Sequence, residues 1–127
     1  MSRLPAIALS LALLAGLACS STSPDDASAD FVADLDGERF VVRSTNPETI
    51  THLREALAGR RRGFPAGPLL RGDGGFNAPW SWHIDPAELQ LVEFAIEVCD
   101  GRPSYVEAHI SDFPTYCPWG ARIVGER

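Results

Sequence analysis

Ser81, His83 and Asp85 stand at alternate positions of one stretch of chain, and serine, histidine and aspartate are the groups of a nucleophilic triad. On a strand the three share a face. A triad needs its members to converge from separate segments and touch through hydrogen bonds, whereas alternate strand residues stand about 7 Å apart with parallel side chains. The pattern therefore reads as structure: Trp80 and Trp82 face the core from the opposite side, His83 is hydrogen-bonded near the turn, and Asp85 caps the segment after Pro86. Glu93 and Glu97 also share a strand face, roughly 13 Å apart at strand rise. That is too far for a glycosidase carboxylate pair, and both are expected in solvent. Asp73 in Gly72-Asp73-Gly74-Gly75 lacks the alternating acidic ligands of a calcium loop and marks a turn. No catalytic residue is assigned and no enzyme is expected; the competing reading is a small enzyme with a cleft near His83 and Asp85.

Three cysteines complete the reactive inventory. With Cys19 set aside for a lipid, Cys99 and Cys117 remain as a pair in an oxidising compartment and are expected to form a disulfide; a crosslink closing a loop of this length contributes about 3 kcal/mol in the chain-entropy model. That is a large share of a stability of about 5 to 15 kcal/mol. A zinc site is the competing use of two thiols, but only His109 and a few carboxylates lie between them and no Cys-x-x-Cys pair exists. Neither a metal nor a cofactor is expected.

Cys19 has a different setting. Arg3 supplies a positive start, Leu4 to Ala18 is almost wholly apolar, and small residues lead into Cys19. This is the anatomy of a secretion signal, and the run falls short of the roughly 20 apolar residues of a spanning helix. Gly16-Leu17-Ala18-Cys19 resembles the bacterial lipobox, where lipoprotein signal peptidase cuts before a cysteine carrying a diacylglyceryl group. Cys19 is therefore the lipidation candidate, and the first expected partner is a bacterial membrane in the cell envelope. The alternative is ordinary signal-peptide cleavage, leaving a soluble secreted protein. Ser20 to Ala29 contains no large apolar residue that could repay its ordering entropy, and about ten such residues reach roughly 17 Å as a random coil. The chain thus divides into a leader at 1–18, a tether at 19–29 and one folded domain at 30–127.

Charge narrows the partners. All of the cationic side chains are arginine, and the 11 of them face 17 acidic residues for a net charge of −6. Loss of Arg3 with the leader makes the balance more acidic still, which excludes nucleic acid as an expected partner.

The elements that must position these residues follow from local signals. Phe31 to Leu35 and Glu38 to Arg43 flank Asp36-Gly37, a strong hairpin signal. Thr45-Asn46-Pro47-Glu48 has capping-box spacing and an early proline, and Ile50, Leu53, Ala56 and Leu57 follow at helical period until Gly59. Arg60 to Pro79 carries too many glycines and prolines for a regular element. It is expected as a long loop and a binding surface, with Arg60, Arg61 and Arg62 as the partner-binding candidates. The plainer reading of that triplet is that cations complement the C-terminal end of the helix dipole. Trp80 to Ile84 is expected as a strand. Leu89 to Val98 reads as the strongest strand, with Val92, Phe94, Ile96 and Val98 on one face. Pro103 opens a short helix running to Ile110, and Ala121 to Val124 gives a last strand. The sum is α+β: a small antiparallel sheet with two short helices on one face and one disulfide.

One family unites several of these blocks. The run Phe76-Asn77-Ala78-Pro79-Trp80-Ser81-Trp82-His83-Ile84-Asp85-Pro86 is followed by Ala95-Ile96-Glu97-Val98-Cys99-Asp100, Tyr105-Val106-Glu107 and Cys117-Pro118-Trp119. With the earlier Asn46-Pro47-Glu48-Thr49-Ile50 and Leu53-Arg54 blocks, it resembles the N-terminal domain family of the slime-mould calmodulin-binding protein BP-seventy-four, from about Phe31 to Val124. The resemblance implies the fold and the disulfide, and it brings no catalytic residues with it. Calmodulin is not expected as a partner, since the chain has no basic amphipathic helix of the usual target kind. The expectation is a noncatalytic envelope binding module that recognises or inhibits another exported protein.

Overall fold

The computed structural model describes residues 27–127; the leader, Cys19 and most of the tether lie outside the described residues. Strands β1 (Ala29–Leu35) and β2 (Glu38–Ser44) form the expected hairpin. Asp36 and Gly37 both take positive φ at its tip, +52° and +88°, the backbone that a two-residue primed turn requires. Helix α1 (Pro47–Leu57) follows. Its cap is Asn46 rather than the Thr45 of the capping-box pattern, because the Asn46 side chain accepts from the N–H groups of Glu48 and Thr49. The C-terminal end closes when Gly59 donates to the Ala56 carbonyl and Arg60 to that of Glu55, the paired bonds of a Schellman ending.

The remaining strands are β3 (Phe64–Arg71), β4 (Trp82–Ile84), β5 (Gln90–Val92), β6 (Thr115–Tyr116) and β7 (Arg122–Glu126), with helix α2 (Pro103–Ala108) and a 3-10 turn at Ile110–Asp112 before β6. The α+β class and the disulfide stand as expected, but the β structure is divided into two antiparallel sheets. One has the order β2-β1-β7; in the other β3 pairs with β4, β5 and β6.

Two expectations are corrected. The segment 60–79 is not one long loop, since it contains β3, the strand to which every other strand of the second sheet is bonded. Its prolines are tolerated because each partner takes only two or three positions of β3, so no long ladder depends on the missing N–H groups. Gly67 is needed for close approach: a Cβ there would stand 2.8 Å from Ile84 Cγ2.

The second correction is that Leu89–Val98 is a strand only over Gln90–Val92. Val92 lies opposite Phe64, the first residue of β3, so among the described residues no strand lies beside those beyond it. Ala95 packs on the core, while Phe94, Ile96 and Val98 are 71, 93 and 103% exposed. Helix α2 likewise ends at Ala108, short of Ile110.

The core joins both sheets to the helices. Fully buried Trp82 meets Tyr116 edge-on at 5.2 Å and Phe40 at 5.7 Å, with Trp80 stacked on it at 6.1 Å. Burial pushes the Tyr116 hydroxyl pKa upward, and that hydroxyl donates to the Gly101 carbonyl at 2.6 Å. Asn77, also fully buried, links the sheets: its Oδ1 accepts from Val41 N–H of β2 and its Nδ2 donates to the Trp82 carbonyl of β4. Arg54 of α1 pairs with Glu126 of β7 at 2.7 Å. Cys99 and Cys117 form the disulfide, with Cα atoms 5.1 Å apart.

Candidate functional site

The C-terminal end of α1, the turn into β3 and the start of β7 enclose a groove of about 520 Å³. Phe64, Ala121 and Ile123, all buried, line its apolar side, and Arg61, Arg62, Arg122 and Glu93 supply its polar atoms. Each wall is fixed by a local cause. The Schellman ending turns the chain at Gly59, so that Arg61 folds back onto Glu55 at 2.6 Å. That hydrogen bond holds the Glu55 carboxyl below the usual carboxylate range. Trp119 stacks on Phe64 with ring centroids 6.0 Å apart, and the disulfide two residues earlier anchors the segment leading into Gly120 and β7.

The charges on the groove are unequal. Arg61 is neutralised by Glu55, whereas Arg62 and Arg122 have no carboxylate within ion-pair distance among the described residues. Glu93 is followed in the chain by the exposed apolar residues Phe94, Ile96 and Val98, which do not themselves line the groove. Large apolar side chains left exposed among the described residues are candidates for an interaction surface.

The structure separates the Arg triplet. Arg61 and Arg62 line the groove, but Arg60 does not. Its N–H closes the end of α1 on the Glu55 carbonyl, and its charge is a lesser influence lowering the Glu55 pKa. Ser81, His83 and Asp85 bond in three different places, Ser81 through its backbone and the other two through their side chains. Ser81 N–H donates to Glu107, His83 Nδ1 lies 2.7 Å from the Gly72 carbonyl oxygen, and Asp85 Oδ1 accepts from Ala87 N–H. His83 also meets Phe76 edge-on at 5.4 Å, and none of the three lines the groove. Glu93 and Glu97 are exposed, and Asp73 closes a turn through Gly75 N–H. His109 sits under Tyr105 with ring centroids 4.1 Å apart. No group of three potential metal-ligating side chains occurs among the described residues, and no helix there is long and apolar enough to cross a membrane.

Sequence reasoning missed Phe64, Arg122 and Ile123 as members of the site. Their signal was present in Cys117-Pro118-Trp119-Gly120, which places a turn just before a strand that begins with arginine, on a segment crosslinked to the one after Glu93.

Fold and groove together define a small disulfide-stapled α+β domain with an open, arginine-flanked cleft. Residues 26–127 match the model of the BP-seventy-four N-terminal domain, and the chain belongs to that family. Neither the curated proteins nor the solved structures contain a significant match to it.

Proposed function

We propose that the chain is a noncatalytic binding module of the bacterial cell envelope, lipid-anchored through Cys19, that recognises another exported protein. The observation that carries the reading is a groove lined by Arg62 and Arg122 together with the exposed Phe94, Ile96 and Val98, which follow its lining residue Glu93 in the chain. Exposed apolar side chains together with arginines that have no ion-pair partner among the described residues have the composition of a protein-binding surface, in which apolar and aromatic anchors are flanked by polar groups. The side chains of His83 and Asp85 are engaged with separate backbone partners, the Gly72 carbonyl and the Ala87 N–H, rather than with each other, which supports the noncatalytic half of the proposal.

In-cell photocrosslinking tests the surface. With Ile96 replaced by p-benzoylphenylalanine, a discrete higher-mass adduct is expected, and it should fall at least tenfold when Arg61 and Arg62 are changed to Ser. The same photoreactive residue at Thr51, an exposed position on α1, should give none. Equal adducts from positions 51 and 96, or no adduct from 96, sinks the reading.

The anchor has a separate test. Globomycin, which blocks lipoprotein signal peptidase, should cause uncleaved precursor to accumulate, and Cys19→Ser should release the protein from membranes. If neither treatment changes its size or fractionation, the chain is not a lipoprotein and the soluble alternative stands.

A further inference from the structure

We infer that the groove binds the C-terminus of a partner polypeptide whose last residue is apolar, the α-carboxylate lying between Arg62 and Arg122 and the terminal side chain against Phe64 and Ile123. The inference rests on the binding-module reading and names what that module grips.

Three features of the groove select this ligand. Arg62 and Arg122 line it without a carboxylate partner among the described residues, and arginine favours carboxylate because its planar fork donates two parallel hydrogen bonds. The buried side of the groove is apolar, formed by Phe64, Ala121 and Ile123, so a bare inorganic anion would leave that surface wet. A terminal residue supplies a carboxylate and an apolar side chain on the same carbon, matching the two surfaces with one group. Size agrees, since small-ligand sites typically span about 300 to 1,000 Å³.

Charge sets the upper limit. Glu93 stands on the groove, α1 points the negative end of its dipole there, and the chain as a whole is acidic at −6. These fields oppose a polyanion and disfavour phosphorylated ligands, while one carboxylate is offset by the two arginines. Phe94, Ile96 and Val98, exposed and next in the chain after Glu93, are the side chains offered to the residues that precede the terminus.

The test uses the oxidised, 15N-labelled protein purified as the cell makes it, in detergent where it is membrane-bound. The probe is the tripeptide acetyl-Gly-Ala-Leu with a free carboxylate, compared with its C-terminal amide and with inorganic phosphate. The free acid is expected to shift the amide signals of Gly63, Gly120 and Ile123 saturably, in the millimolar range, and the amide to bind at least fivefold more weakly. Arg62→Gln with Arg122→Gln should erase that difference while leaving the rest of the spectrum in place; if the pair unfolds, Arg122→Gln alone should reduce it. Equal binding of acid and amide, shifts by phosphate as large as those by the peptide, or shifts confined to other surfaces overturns the inference. A crosslinked adduct at position 96 that persists alongside such a result leaves the binding module standing and removes only its C-terminal ligand.

Discussion

Asn77→Ala is expected to destabilise the fold by about 2 to 5 kcal/mol, although it removes only a small polar side chain. Asn77 is fully buried. Its amide oxygen receives Val41 N–H and its amide nitrogen reaches the Trp82 carbonyl, both at 2.7 Å. Val41 belongs to β2, at the edge of the first sheet, and Trp82 to β4 of the second, so one side chain satisfies two backbone groups that neither ladder can serve. Truncation leaves a donor and an acceptor buried without partners, each worth roughly 1 to 3 kcal/mol of lost solvation. Urea denaturation should show the midpoint fall with little change in slope. Asn77→Asp separates the two bonds. Its ionised carboxylate still accepts from Val41 but faces the Trp82 carbonyl with no donor, and protonation restores one. That carboxyl takes up its proton more readily folded than unfolded, so this variant should gain stability on Asn77→Ala as pH falls from neutral towards about 4. A loss below about 0.5 kcal/mol for Asn77→Ala would show that water reaches both groups.

Much of the architecture was legible because its signals are local. Asp36-Gly37 specifies its own turn, Pro47 with the Ile50 and Leu53 spacing specifies α1, and the even pair of cysteines specifies the crosslink. Misreadings arose where a neighbour distant in sequence decides the outcome. Period-two alternation from Leu89 to Val98 states that a strand face is available, yet pairing stops at Val92 because β3 begins at the opposite residue, Phe64. In the reverse direction, Pro65, Gly67 and Pro68 argue against a strand, and only the short partners β4, β5 and β6 allow one. Both errors share one boundary, since the start of β3 fixes the end of β5.

The candidate site divides along the same line. Arg61 and Arg62 could be singled out from composition because they follow a helix stop in a glycine-rich stretch. Arg122 could not, since its role comes from β7 lying beside β1, where it is opposite Asp34, and from the turn at Trp119 that stacks on Phe64. Asn77 was visible only as part of a family-like block. Nothing local distinguishes an asparagine that caps a turn from one that bridges two sheets.

Reduction of the Cys99–Cys117 bond, or Cys99→Ala, is expected to lower stability by about 2 to 5 kcal/mol, with the double variant Cys99→Ala, Cys117→Ala scarcely worse than either single change. The bond closes a separation of 18 residues, enough for its loss to release substantial loop entropy into the unfolded chain. Both cysteines are buried, and Cys117 N–H also donates to the Cys99 carbonyl at 2.8 Å, so the crosslink reinforces a contact that the backbone already makes. Its position gives the loss a local signature as well. On one side of Cys99 lies the exposed Phe94–Val98 stretch, which no strand supports, and just after Cys117 comes the turn into Gly120 and Ala121 on the groove. Amide exchange at Cys99, Cys117 and 119–122 should therefore accelerate more on reduction than at Phe31 or Val42, which sit in the β1–β2 ladder. Non-reducing mass spectrometry that recovers two free thiols from the native protein, or uniform acceleration across both sheets, would contradict this account.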